Sequence, residues 1–313
     1  MLEQRIALIE LDGNYHCMSE NFEFTIRSLT RPDELVWVTE LQDQICDETR
    51  FNVPLTSLID FARNGGQIIG AFDGKLLVGF LIAFLGTDSR DPHRPAMANL
   101  KLVLDRIGVH PDYRNVGLAT QMTLRLRDIS TKQGIRLTTY AFDPLNSREA
   151  NLMIRKLGAI AKSYMPDYYG IREDLTLTDR LIAEWWITHN RVEERLFGNR
   201  GNLSLEQYLE AGTPIINPTY VNGTNVNQVK PYLESVSIPE KSMMLIEIPT
   251  DFSAIMLANP TLASEWQYHV RDVFLTIMTN GFVATDFLYE PYENRQRAFY
   301  LMSFDGPRLT LSL

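Results

Sequence analysis

The sequence predicts an α/β (α+β) chain, with a mixed, partly parallel central sheet followed by a C-terminal α+β extension. Three observations lead there. Between 99 and 164 the apolar periodicity alternates strand, helix, strand, helix, strand, an order that requires some parallel pairing. The 313 residues are 45% hydrophobic and 22% charged, an ordinary globular balance for about two domains. The pattern changes character near Glu173, which places the division between 173 and 178.

The elements follow in order. Phe22 to Leu29 alternates as a strand, and Pro32 opens a helical stretch reaching about Cys46. Leu55 to Arg63 reads as a short helix ended by Gly65-Gly66. Two strands, Gln67 to Phe72 and Lys75 to Leu85, flank Asp73-Gly74, a strong hairpin signal. A strand from Asn99 to Val109 leads through a loop, His110 to Gly117, into a helix reaching Gly134. Leu118, Met122, Leu126 and Ile129 give that helix one apolar face. A strand from Ile135 to Phe142, a helix from Asn146 to Leu157 and a strand from Ala159 to Tyr164 complete the first part.

In the second part, Thr178-Asp179 reads as the cap of a helix to Leu196, with Leu181, Trp185, Val192 and Leu196 on one stripe. Residues 197 to 230, rich in Asn, Gly, Thr and Pro, read as an irregular excursion. A strand from Met243 to Ile248, a helix from Leu262 to Thr279, and strands Phe282 to Tyr289 and Arg297 to Ser303 end the pattern.

Several function classes fall away. The longest apolar run, Leu76 to Leu85, is far below the roughly 20 residues of a membrane helix. The charged N-terminal stretch, with Glu3, Arg5, Glu10 and Asp12, lacks a signal-peptide core, so a cytoplasmic location and no membrane partner are expected. The glycosylation patterns at Asn202 and Asn222 then carry no meaning. Cys17 and Cys46 form no disulfide framework, the five histidines are scattered, and no metal is expected. A net charge of −9 argues against nucleic acid as a partner. That charge is uneven, however. From Tyr113 to Ser163 nine Lys and Arg face three Asp and Glu, a basic island that fits a phosphate-bearing ligand or a solvated helix face.

The chemistry-bearing stretch is Arg114-Asn115-Val116-Gly117-Leu118-Ala119-Thr120, directly after the strand ending Ile107-Gly108-Val109. Gly117 allows a ligand to approach the backbone, and the unpaired N–H groups of the helix's first turn point outward. The positive end of the helix dipole and the cation of Arg114 add attraction for a pyrophosphate. One strand later comes a second helix, Ala150 through Lys156-Leu157-Gly158-Ala159.

In these residues the sequence resembles the GNAT acyltransferase superfamily, whose signature is a strand, an R/Q-x-x-G-x-G/A loop and a later N-x-x-A…Y-x-K-x-G-F helix. The resemblance covers about residues 22 to 165 and divides the chain into a GNAT domain, 1–175, and an extension, 176–313. It implies acetyl-CoA or another acyl-CoA as co-substrate, and direct attack of an amine on the thioester in a ternary complex. The backbone of Ile107, Gly108 and Val109 would pair with the pantetheine arm. Arg114 to Thr120 would wrap the pyrophosphate, with Asn146, Ser147 and Lys156 (and Arg155) as further coenzyme contacts. The strands carrying Ile107 and Tyr140 would splay to admit the thioester.

The match is incomplete at three places. Ile154 stands where the family's thiolate-protonating tyrosine usually sits, and Asn146 falls one residue early, with Ser147 in its place. Val103 occupies a strand position where some members carry a glutamate base. Asp105, expected to share strand parity with Val103 and Ile107, is the candidate base. Tyr164, then Tyr168 and Tyr169, are the candidate acids, and His110 reads as a loop residue.

The second half is similar to a long subgroup of GNAT proteins. The residues that carry this are Y-M-P-D-Y-Y-G at 164, T-D-R-L-I-A-E-W at 178, I-E-I-P-T-D-F at 246, the helix from Trp266 and G-F-V-A-T-D-F at 281. That likeness implies a small-molecule amine acceptor such as an amino acid, with acetyl or succinyl as the transferred group. A succinyl donor would need a cation, for which Arg106 and Arg271 are candidates. A homodimer through the aromatic C-terminal part is one option. The competing reading is a CoA-binding sensor or interaction module without catalysis.

Overall fold

The computed structural model describes residues 8–11, 14–19, 22–45, 52–87, 99–170, 177–198, 201–221, 229–231, 238 and 240–306. Cys46, Glu173 and Asn222, which entered the sequence reading, lie outside the described residues. The chain forms two compact units. One holds residues 1–139 with 186–188, and the other holds 140–185 with 189–313. This division follows packing, whereas the expected one at 175/176 follows the end of the family-like pattern.

The first unit contains strands β1 (Leu8–Leu11), β2 (Asn14–Ser19), β3 (Phe22–Ser28), β4 (Gln67–Asp73), β5 (Leu76–Thr87) and β6 (Leu100–Val109) in sequential antiparallel order. Helices α1 (Pro32–Ile45) and α2 (Leu55–Arg63) cover one face. There Leu35, Val38, Leu41 and Leu58 pack with Phe80 and Ile82 of β5. Gln42, fully buried on α1, fixes the entry to α2 by bonding Val53 through both ends of its amide, at 2.9 and 3.2 Å. Helix α3 (Leu118–Lys132) supplies the other layer, burying Leu118, Met122 and Leu126 as the periodicity requires. Met122 lies so close to β5 that a Cβ on Gly79 would meet its Cε at 3.2 Å.

The chain enters the second unit within β7 (Leu137–Phe142). Next come α4 (Ser147–Ala150), a π-helical turn (Asn151–Lys156), β8 (Ile160–Met165) and β9 (Arg180–Trp186). Helices α5 (Asn190–Leu196) and α6 (Leu205–Glu210) and the ribbon β10 (Thr219–Val221)/β11 (Val229–Pro231) follow. The unit ends with β12 (Met243–Ile248), α7 (Phe252–Ala258), α8 (Pro260–Thr279), β13 (Phe282–Tyr292) and β14 (Arg295–Phe304). Its strand order is β7-β9-β8-β13-β14-β12. Phe274 of α8 stacks on Tyr164 of β8 at 5.6 Å and meets Tyr300 of β14 edge-on at 5.2 Å. The mixed α/β class, with its additional C-terminal strands and helices, agrees with the sequence.

The helix expected over 178–196 is corrected. Residues 180–186 form β9, antiparallel to β8, and only 190–196 are helical. Leu181, Ala183 and Trp185 alternate to one buried face with period two, and Trp185 donates its indole N–H to Leu157 O at 2.9 Å. The stripe Leu181–Trp185 was compatible with either period. The excursion 197–230 also contains order that composition hid: Ser204 and Gln207 form a reciprocal capping box that starts α6. Among the described residues no helix is long and apolar enough to cross a membrane.

Candidate active site

In the first unit the site is built by β6, a turn and α3. The β5–β6 register pairs Phe84 with Val103 and Ala83 with Leu104, then resumes with Ile82 opposite Arg106 and Leu81 opposite Ile107. Asp105 is the extra residue of a β-bulge. The expected shared parity of Val103, Asp105 and Ile107 is therefore corrected. Val103 faces with Phe84, which stacks on Phe61 of α2, whereas Ile107 faces with Leu81 on the opposite side. Arg106 and Gly108 fall on the α1 side. Arg106 bonds Asn52 Oδ1 at 3.3 Å, and a Cβ on Gly108 would collide with Phe80 and Ile45 at 2.5 and 2.6 Å. Gly108 is thus needed for helix packing, and the Arg106 side chain is engaged on the α1 side. Burial raises the Asp105 carboxyl above its ordinary range, and Arg106 only partly opposes this. A carboxylate so raised is a better proton acceptor.

After Val109 the chain turns through a 3-10 turn, Pro111–Tyr113. His110 caps it by accepting from Asp112 N at 3.4 Å, the loop role expected of it. Tyr113 anchors the turn by donating to Asp73 Oδ2 at 3.0 Å. Arg114 donates from Nε to Val109 O at 3.1 Å, so its guanidinium is held beside the loop that follows. Asn115 and Gly117 both adopt left-handed backbone, with φ of 66° and 89°. Gly117 is the N-cap of α3 and offers no side-chain acceptor, so the first-turn N–H groups of Leu118, Ala119 and Thr120 are uncapped by any side chain. Loop, cation and helix terminus together form a place for an anionic group.

In the second unit the expected residues are committed locally. Asn146 caps α4 by accepting from Glu149 N at 3.3 Å, and Ser147 donates to Thr250 O at 2.6 Å. Arg155, expected beside a phosphate, pairs instead with Asp286 at 2.7 Å, where Arg195 also pairs at 3.2 Å. Lys156 is exposed at the end of the π-helical turn, and Ile154 is fully buried. Tyr140 donates to Glu149 Oε1 at 2.6 Å.

Tyr164 donates its hydroxyl proton to Asp179 Oδ2 at 2.5 Å. Burial, then Asp179, pushes this phenol far above its usual range, while the bonds from Arg271 and Tyr164 outweigh burial and hold Asp179 low. Arg271, a candidate for a succinyl carboxylate, is fully engaged by Asp167 at 2.6 Å and by both oxygens of Asp179. Tyr168 and Tyr169 are exposed and meet edge-on at 4.9 Å, with Arg180 over the Tyr169 ring. Sequence reasoning missed the part played by Asp179. Its signal was present, since a carboxylate at the start of an alternating segment seldom stays buried without partners.

Residues 22–159 match the family model described as the acetyltransferase (GNAT) family. Among solved structures the chain is similar to an N-acetyltransferase from Staphylococcus aureus Mu50, at 19% identity and a TM-score of 0.43, over 53% of this chain and 99% of that one. It is similar to the ribosomal-protein-S18-alanine N-acetyltransferase of Escherichia coli at 20% identity and a TM-score of 0.42, over 53% and 95% of the two chains. It is also similar to Arabidopsis thaliana NAA60 in complex with acetyl-CoA, at 13% identity and a TM-score of 0.42, over 52% and 99%. At these values the structural likenesses support no transfer of ligand or acceptor. No curated protein matches the chain. The family match covers less than half of the chain, from β3 to just past the π-helical turn, and includes the whole Arg114–Thr120 loop, so over residues 22–159 the chain is similar to the GNAT acetyltransferase family.

Proposed function

We propose that the chain is an acyl-CoA-dependent N-acyltransferase that moves an acetyl or succinyl group to a small amine, with an amino acid as the leading acceptor class. The observation that carries this reading is the uncapped start of α3. It follows two left-handed residues, Asn115 and Gly117, with Arg114 held alongside. That arrangement supports a pyrophosphate at Arg114–Thr120, with Ile107–Val109 offering backbone to the pantetheine arm. Asp105 is the proposed base, acting directly or through a water. The amine nitrogen attacks the thioester carbonyl and gives up its proton, the C–S bond breaks, and the thiolate is protonated as it leaves. The coenzyme roles of Asn146, Ser147 and Lys156 belong to the same proposal, and alanine substitution with coenzyme titration tests each one.

A second reading, a coenzyme-binding module without turnover, draws on the fully buried Ile154 and on the Tyr164 proton held by Asp179. Thermal unfolding with acetyl-CoA and succinyl-CoA, followed by free-thiol release across amine acceptors, separates the two. Saturation at about 100 times the dissociation constant adds roughly 2.7 kcal/mol to stability. A shift with thiol release supports the transferase, and a shift without release for any acceptor supports the module. No shift with either thioester removes both.

A further inference from the structure

The outer edge of β12 is closed by residues 213–219, which form a strap over it. Antiparallel pairing with β14 uses alternate backbone groups of β12, and those of Leu245 and Glu247 face outward. At Leu245 the strap pairs through its own backbone. Leu245 N donates to Pro214 O at 2.8 Å, and Ile216 N donates to Leu245 O at 3.0 Å. At Glu247 a side chain takes over. Asn217 Oδ1 accepts from Glu247 N at 2.7 Å, and Asn217 Nδ2 donates to Glu247 O at 2.9 Å. Pro214 and Pro218 bring no N–H, so this buried amide is a large part of what holds the strap to the strand.

The same amide fixes the protonation of a neighbour. His269 of α8, also buried, places Nε2 3.1 Å from Asn217 Nδ2. The two bonds to Glu247 settle which end of the amide is nitrogen, so Nε2 faces a donor and must accept. Turning the amide over would set nitrogen against Glu247 N and oxygen against Glu247 O. A charged imidazole donates from both nitrogens, so it would oppose Asn217 Nδ2 in a buried place. The strap itself has no ionisable side chain. On α8, Glu265 and Asp272 stand one turn to either side of His269, and Asp272 favours the cation. Glu247 engages its carboxylate with Arg295, Arg297 and Thr219 N, and Lys230 stands on β11, which packs against α8. Burial outweighs Asp272 and lowers the His269 pKa, so the neutral ring persists until pH falls through that lowered value.

We propose that residues 213–217 are a pH-released latch on the edge of β12, in which protonation of His269 drives Asn217 off Glu247. Release bares the outward N–H and C=O groups of Leu245 and Glu247. The strand then offers an open pairing edge, which it lacks while the strap is closed.

The test is amide hydrogen exchange read by NMR on the full-length protein between about pH 7.5 and 5.0, corrected for the intrinsic rate at each pH. His269 is titrated in the same samples through its ring Cε1–H shift. Protection of Leu245 and Glu247 should fall about tenfold or more as His269 charges. Met244 and Ile246, which face β14 from the same strand, should keep theirs. His269→Gln, which keeps an acceptor and cannot charge, should hold all four steady. Asn217→Ala should leave Glu247 N unprotected at both ends of the range, and this covers the case in which His269→Gln fails to fold. Several results overturn the proposal: a ring that stays neutral throughout, protection kept after it charges, equal loss at Met244 and Ile246, the same fall in His269→Gln, or a protected Glu247 in Asn217→Ala. No coenzyme is present, so none of these results bears on the acyl-CoA reading.

Discussion

At the scale of single residues, Gly117 and Asp105 hold the clearest expectations. Gly117 sits at φ 89°, where an L side chain is strained, at the point where the proposed pyrophosphate would reach the backbone. Gly117→Glu adds strain and a negative charge together, so it should abolish acetyl-CoA binding in a thermal-shift titration while the far-UV spectrum stays folded. A folded variant that binds normally would remove the pyrophosphate from this loop. Asp105 is raised by burial, so its proton is lost at a higher pH than an ordinary aspartate's. Turnover should rise with pH through that ionisation. Asp105→Asn should lower kcat by about 100-fold or more and flatten the acid limb, with little change in coenzyme affinity.

His269 gives a stability counterpart. It is buried on α8, its Nε2 lies 3.1 Å from Asn217 Nδ2, and that amide is oriented by Glu247 N bonding Asn217 Oδ1 at 2.7 Å. Nε2 must then accept, which requires a neutral ring. Burial lowers the His269 pKa below its ordinary 6.5, only partly opposed by Asp272. Because the folded value is depressed, its stabilisation is present above the unfolded value and is lost as pH falls through the folded one. Urea unfolding from pH 7.5 to 5.5 should show a loss that His269→Gln largely removes. An unchanged pH slope in that variant would assign the loss to other groups.

At the scale of elements, the irregular ones carry the most information. The π-helical turn Asn151–Lys156 occupies the stretch where the family's tyrosine helix is expected, and it buries Met153 and Ile154. It is tied to β13 through Arg155 and Asp286, beside the register shift between Ala284 and Asp286, and Arg195 reaches the same carboxylate. Asp286→Ala would leave the buried guanidinium of Arg195 without its acid and Arg155 with Glu290 alone, at 3.6 Å. That should cost about 3 kcal/mol or more in urea unfolding. A cost below about 1 kcal/mol would mean that both arginines find other partners. The bulge at Asp105 shows the same logic on β6, since one inserted residue moves Val103 and Ile107 to opposite faces.

At the scale of the whole molecule, the two compact units carry different chemistry. The first holds the proposed anion site at β6 and α3, and the second holds the Tyr164–Asp179–Arg271 cluster. Hydrogen exchange should resolve them. Acetyl-CoA should protect residues 107–121 more than the core strands of the second unit. Protection spread evenly over both units would contradict this assignment.

Much of the architecture was legible in the sequence because it rests on local rules. The α2 helix appears at Leu55–Arg63 and β12 at Met243–Ile248, where apolar pattern and turn residues agree. The turn that opens α3 was legible for a similar reason: its left-handed N-cap position calls for glycine, which stands there as Gly117. Other features lay outside what pattern could decide. Leu181 and Trp185 fit a helical stripe, yet β8 supplies the hydrogen-bonding edge that makes 180–186 a strand. Asp105 looked in register until a bulge, set by pairing with β5, took the residue out of the ladder. Tyr164, Asp179 and Arg271 are far apart in the chain, and only folding makes the acid candidate a bound donor and the free cation a paired one. The sequence by itself thus determined most of the elements and the turn at Gly117, because each depends on residues within a few positions. The tertiary structure alone decided which charges are paired with which, as Arg271 is with Asp167 and Asp179, because a charge is satisfied through space.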